Sequence, residues 1–264
     1  MKTQRTLIIV SAVLILTLGA AGLATAITFG DPDGNRHPNV GAMVLQFSDG
    51  SRALFCSGTL IAPQVFLTAA HCTAYLVAIG LPTHDIWVSF DSHVTASSPL
   101  YRGTYHHNPN FGGPRSDRND VAVIVLDEPA AGITPAQLPT AGLLDAMKAD
   151  GTLKHQRFTT VGYGALRDDK TGGPHSLTDT DERHYAVQSF LALEPAWIQL
   201  SMNPSTGSGG TCYGDSGGPH FIGESSVVAA ITVTGDRYCR ATDVAYRMDT
   251  ESARSFLAQF VTLP

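Results

Sequence analysis

An all-β fold is predicted for this 264-residue chain by three observations. Short runs rich in Val, Thr, Ile and Phe recur between Gly, Pro and Asn, the pattern of strands bounded by turns. Helix-type charge patterning is scarce, and charged residues make up only 15% of the composition. A Pro/Ala/Gly-rich segment near the midpoint, EPAAGITPAQLPTAG, reads as a linker between two β-units. Many short strands of this kind imply a sandwich or barrel architecture.

Taken in order, the first 26 residues carry Lys2 and Arg5, then an apolar run, then small residues ending in Ala24, Thr25 and Ala26. This is the pattern of a secretory signal peptide with an A-x-A cleavage site. An uncleaved anchor is the alternative, since Leu7 to Ala26 nearly has the length that spans a bilayer, but the small-residue ending favours cleavage. Strand-like runs follow: GAMVLQF, FCSGTLIAP, QVFLTAAHC, DIWVSFD and DVAVIVLDEP before the linker. RFTTVGYG, AVQSFLAL, AWIQLSM, PHFIG, VVAAITVT and DVAYRM come after it. The polar run from Arg167 to His184 reads as a surface loop. At the end, Ala253, Phe256, Leu257 and Phe260 fall at helical intervals behind Thr250, which predicts one short C-terminal helix with Thr250 as its N-cap. The expected units are 1–26 as signal peptide, 27–134 as the first β-unit and 135–264 as the second.

Composition excludes some functions. Hydrophobic residues at 43% describe an ordinary globular protein with a proper core. Signal removal takes the formal charge from −6 to −8, so nucleic acid, whose phosphates demand cations, is a poor partner. Four cysteines, at 56, 72, 212 and 239, allow three pairings. In an exported protein their separation into an early and a late pair favours Cys56 with Cys72 and Cys212 with Cys239. Zinc is the alternative, although neither pair has structural zinc spacing. His106 and His107 invite a metal reading, but as neighbours they would point to opposite faces of a strand; surface-loop residues are expected there, and no metal.

Three stretches carry chemistry. LTAAHC sets His71 beside a cysteine at the end of an apolar run. SDRNDVAVIVL places Asp120 at the mouth of the most apolar run after the signal. GDSGGP holds Ser216 among glycines, whose large entropy loss on folding demands a tight turn or a close backbone approach. Each alone has an ordinary structural explanation. Together they supply a weak nucleophile, a base to take its proton and an acid to orient that base.

TAAHC, NDVAVIVL and CYGDSGGP, in that order and at these separations, resemble the chymotrypsin-like (trypsin-fold) serine proteases. The resemblance runs from ITFG at residue 27 to the terminal helix. It implies two antiparallel six-stranded β-barrels with a short C-terminal α-helix and a secreted endopeptidase working through an acyl-enzyme. Ser216 would be the nucleophile, His71 the base and then acid, and Asp120 the orienting carboxylate. The amides of Gly214 and Ser216 would form the oxyanion hole. Asp215 would receive the α-ammonium of a mature N-terminus at Ile27, since ITFG is similar to the family's IVGG start and follows the cleavage site after Ala26. Cleavage after Ala24 would block that insertion. VGYG at 161–164 resembles the segment opening the family's autolysis loop.

Specificity is where the chain departs from the pattern. Gly210 stands where the family's S1 base lies, so a trypsin-type charge is missing there. Asp243 aligns with the opposite wall and could restore it, with a strand-capping surface role as the alternative. Val233, Thr234 and Gly235 replace the usual Ser-Trp-Gly of the substrate-pairing strand, removing one support of the triad aspartate. The resemblance implies protein or peptide substrates, a possible proteinaceous inhibitor, a monomer and no cofactor. Two rivals are an inactive homologue acting as a binding module and a secreted esterase; the esterase lacks its G-x-S-x-G elbow and its Ser, acid, His order here.

Overall fold

A computed structural model describes residues 27–167 and 177–264. The expected signal peptide, 1–26, and the centre of the polar run, 168–176, lie outside the described residues. Among the described residues no helix is long and apolar enough to cross a membrane.

After a two-residue strand β1 (Asp31–Pro32), the first barrel is built from β2 (Val40–Gln46), β3 (Arg52–Ala62), β4 (Val65–Thr68), β5 (Ile86–Ser89), β6 (Tyr101–His107) and β7 (Ala122–Leu126). These close antiparallel in the order β2-β3-β4-β7-β6-β5, with β5 returning to β2. The second barrel comprises β8 (Arg157–Gly162), β11 (His184–Leu193), β12 (Trp197–Ser201), β13 (Pro219–Ile222), β14 (Val228–Gly235) and β15 (Thr242–Arg247). It runs β11-β12-β15-β14-β13-β8 and closes through β8 on β11, while β1 adds to the start of β11. The small hairpin β9 (Leu166–Arg167) and β10 (Leu177–Thr178) stands apart. Closure leaves neither barrel an open edge, which is how short strands of modest hydrophobicity form a stable sheet. Val40, Leu60, Phe66, Ile86 and Ile124 are fully buried in the first. The linker changes barrels between neighbours: the Ala136 amide donates to the Leu60 carbonyl, and the Gln137 amide to that of Ser226.

Helix α3 (Glu251–Leu257) ends the chain as its spacing predicts, burying Ala253, Phe256 and Leu257, with the Thr250 hydroxyl accepting from the Ala253 amide. Two helices have no counterpart in the sequence reading. α1 (Ala70–Ala78) begins two residues after β4 ends, so His71 lies in a first helical turn and not at a strand end. Alanine has the highest helix propensity, and the Ala pair starts the helix as soon as β4 stops. α2 (Leu143–Ala149) follows the linker, its Leu144 amide held 2.8 Å from the Asp249 carboxylate. Leu144 is its one buried residue, so no apolar stripe marks the helix in the sequence.

Two loop expectations are corrected. His106 and His107 belong to strand β6, opposite Val123 and Ala122 of β7. YRGTYHH hides its strand nature because it has little apolar alternation, and Gly103 is fixed by the Val125 carbonyl, 2.7 Å from where its Cβ would stand. The polar run is likewise not all surface. Arg183 is fully buried, its Nε 2.8 Å from Asp33 and its Nη1 donating to the carbonyls of Val40 and Phe90. Paired and hydrogen-bonded, a buried guanidinium ties the N-terminal segment to the first barrel.

Candidate active site

Asp120 is placed by a local turn. Asn119 has φ of 54°, a left-handed conformation that asparagine tolerates better than most residues, and β7 begins three residues on at Ala122. The buried carboxylate meets His71 at two points: Oδ1 accepts the His71 amide at 2.9 Å, and Oδ2 lies 3.0 Å from Nδ1. Among the described residues both hydrogen bonds to Asp120 come from His71. With Nδ1–H committed to the carboxylate, Nε2 of the half-exposed ring carries the free lone pair.

The Ser216 loop belongs to the second barrel and docks on the first. The Ser57 amide donates to the Ser216 carbonyl at 2.9 Å, and the Ser57 hydroxyl to the Gly214 carbonyl at 3.0 Å. Cys56 and Cys72, neighbours of Ser57 and His71, are disulfide-bonded, and the Cys72 sulfur lies 3.8 Å from the Ser216 carbonyl oxygen. One covalent staple therefore sets β3 and the His71 turn against the same loop. Gly217 explains the glycine run: with φ of 81°, a Cβ there would stand 2.6 Å from the Ser57 carbonyl. Cys56, His71 and Cys72 gather three donor atoms, but the sulfurs are bonded to each other and offer no thiolates to zinc.

Asp215 points the other way into a fully buried site. Desolvation pushes its carboxyl up to about 7, with the Asp243 charge adding to this, against two amides at 2.8 Å, from Cys212 and Gly164. No cation pairs with it among the described residues. Ile27 is fully buried, and Thr28 bridges to Gly210.

Beside Ser216 lies a cavity of about 130 Å³, walled by Thr211, Thr232, Val233, Gly235 and the second disulfide, Cys212–Cys239. Gly210 does not line it. A Cβ at Gly210 would stand 2.6 Å from the Gln188 Nε2, with Met202 closer still, so no side chain fits there. Asp243 is fully buried rather than a surface cap. Its Oδ2 accepts from the Thr211 hydroxyl at 2.7 Å and from Gln188 Nε2 at 2.8 Å, placing the carboxylate directly behind the cavity wall. His220 and Gln188, on separate strands, complete this buried group; scattered single residues give no motif by which to find them.

Residues 33–254 match the family model described as Trypsin. The chain belongs to the trypsin family. It is 34% identical over 171 residues to brachyurin of Leptuca pugilator, covering 62% of this chain and 70% of that protein. With granzyme M of Homo sapiens it shares 28% over 250 residues, 87% of this chain and 88% of the relative. A chymotrypsin of Phaedon cochleariae is 29% identical over 205 residues, 74% and 68% of the two chains. A solved structure described as HL collagenase superposes with a TM-score of 0.64 at 19% identity, covering 88% of this chain and 97% of that one, and supports the fold. As a trypsin-family member the protein is a serine-type endopeptidase, a hydrolase acting on protein or peptide substrates. Proteins of the trypsin family are typically secreted, and two disulfides suit an oxidising compartment.

Proposed function

We propose that the enzyme cleaves peptide bonds through an acyl-enzyme formed on Ser216. The two-point contact between His71 and Asp120, with the neighbouring Cys72 sulfur 3.8 Å from the Ser216 carbonyl oxygen, carries this reading. The Ser216 Oγ attacks the scissile carbonyl carbon while its proton passes to His71 Nε2. The Gly214 and Ser216 amides hold the resulting oxyanion, a contribution on the order of 3 kcal/mol per donor. The C–N bond then breaks, with the proton delivered to the leaving amine, and water repeats the sequence to release the acid. Asp120 remains ionised, fixing the ring's tautomer and stabilising the imidazolium.

Secretion, cleavage after Ala26 and action as a monomer belong to the same proposal, as do a division of the mature chain at 134/135 and susceptibility to a proteinaceous inhibitor. The Ile27 ammonium then supplies the cation that buried Asp215 lacks, ordering the loop that carries the oxyanion donors. Asp243, behind Thr211, attracts a basic P1 side chain, while Val233 to Gly235 pair with the substrate backbone.

Ser216→Ala tests the reaction. Retained fold by circular dichroism with peptidase activity down on the order of 10⁴-fold or more is expected, together with loss of phosphonate labelling. Undiminished turnover would sink the assignment. A folded wild type that labels at no serine would instead favour the binding-module alternative, which the missing serine at Val233 keeps open.

A further inference from the structure

The interior of the second barrel beneath the cavity is unusually polar. His220 of β13 and Asp243 of β15 are both fully buried, with Nε2 3.7 Å from Oδ2. Each hangs on a threonine of the cavity wall: Asp243 accepts from Thr211, and His220 Nε2 lies 3.0 Å from the Thr232 hydroxyl. A single layer of hydroxyls thus separates the pair from the cavity. Asp243 Oδ1, Gln188 Oε1, His220 Nδ1 and Thr160 Oγ1 are buried with no hydrogen-bond partner among the described residues. Such orphans are uncommon in folded proteins and call for an explanation. With the ring proton on Nε2, which faces two oxygens, the first three are all acceptors. The group is one that awaits donors.

We propose that His220 is a specificity-determining residue of this protease: as an imidazolium it neutralises Asp243, and as a neutral ring it leaves that carboxylate to a basic P1 side chain. The inference rests on the proposed role of Asp243 in S1. An ammonium or guanidinium in the cavity meets the Asp243 charge across the Thr211 and Thr232 hydroxyls and competes with the His220 proton for one carboxylate. A large apolar P1 residue makes no such demand.

The sign follows from the surroundings. Burial holds the His220 ring below the ordinary histidine range, with the Asp243 charge opposing it. Among the described residues Asp243 is the one charge acting on the ring, which has the Thr232 hydroxyl of β14 at Nε2 and Thr160 of β8 as its strand partner. Asp215, in the loop before β13, acts on the group through its coupling to Asp243. Below the folded value His220 is a cation and the floor has no net charge; above it the floor is negative. Preference for basic P1 therefore rises with pH.

The test is kcat/KM for matched peptides with P1 Lys and P1 Leu between pH 5 and 8, expressed as their ratio. Groups that act on the reaction itself change both peptides alike and cancel, while Asp215, coupled to Asp243, is unchanged in His220→Gln and is controlled by comparing that variant with the wild type. In the wild type the ratio should rise about tenfold, the equivalent of one pKa unit. In His220→Gln, which keeps a donor near Nε2 but cannot titrate, it should be high and flat. A slope that persists in His220→Gln, or a flat wild type whose Lys preference still depends on Asp243, overturns the proposal and leaves the S1 reading standing. Undiminished Lys preference in Asp243→Asn removes the S1 reading, and this inference with it. Should His220→Gln fail to fold, the wild type still decides through ring-carbon NMR of His220 with and without benzamidine. By linkage the amidine should move the ring's titration to lower pH; an unmoved titration refutes the competition.

Discussion

The Asp120 carboxylate holds His71 by main chain and ring together, Oδ1 on the amide at 2.9 Å and Oδ2 on Nδ1 at 3.0 Å. The arrangement fixes both the position of the turn and the tautomer of the imidazole. Asp120→Asn keeps the shape but presents an NH₂ group to one of these donors. We expect the fold to survive and kcat to fall on the order of 10⁴-fold, as the ring is driven to the wrong tautomer. Steady-state kinetics on a peptide substrate checks this, and a drop of less than tenfold would remove Asp120 from the triad.

Buried Asp215 gives a prediction about the N-terminus. In a form extended beyond Ile27 the carboxyl, pushed up to about 7, stays protonated when folded while the unfolded chain ionises near 4. Between those values the folded state binds the extra proton, so stability falls as pH rises, by about 1.4 kcal/mol per unit and on the order of 4 kcal/mol in all. A chain beginning at Ile27 pairs the charge with its ammonium and escapes this loss. Urea unfolding of both forms at pH 5 and 7.5 reads the difference, and activity should be confined to the Ile27 form. An extended form that is fully active, or whose stability ignores pH, contradicts the pairing.

The Cys212–Cys239 disulfide spans 27 residues and forms part of the cavity wall. Replacing both cysteines with alanine should cost about 3 kcal/mol through the freed loop entropy. Because the bond also braces the cavity, KM for the preferred substrate should rise more than kcat falls. An apparent kcat that falls with the folded fraction while KM holds would show that the bond matters for folding alone.

Legibility followed sequence locality. Strands such as DVAVIVL and the spacing of Ala253, Phe256 and Leu257 were visible because one short window contains the whole pattern. Likewise Ser216, His71 and Asp120 lie in motifs whose residue types are dictated by their chemistry and backbone, as the Gly217 contact with Ser57 illustrates. Strand β6 escaped because neighbours, not its own alternation, hold it in the barrel. Arg183 escaped because its partners, Asp33, Val40 and Phe90, lie far away in sequence. The buried group under the cavity is the extreme case: Gln188, His220 and Asp243 sit on three strands, and only barrel closure brings them together.

On the proposed S1 reading, that group leaves Asp243 as the residue that would decide specificity. Gly210 cannot carry the charge of a trypsin-type pocket, because Gln188 and Met202 occupy the space a side chain would need. Asp243 can act from behind Thr211, in a poorly polarisable interior, while Asp236 and Arg237, which also line the cavity, carry opposite charges. The enzyme should therefore accept Lys and Arg as well as large apolar residues before the cut. Asp243→Ala should lower kcat/KM for basic P1 at least tenfold while changing apolar P1 by much less, since only the former loses a charge partner. A peptide-library digest of wild type and variant, read by mass spectrometry, measures both classes at once. Cleavage confined to small or aromatic P1 residues and unchanged by the substitution would leave Asp243 a structural partner of Thr211 and Gln188 and return the pocket to an elastase- or chymotrypsin-like description.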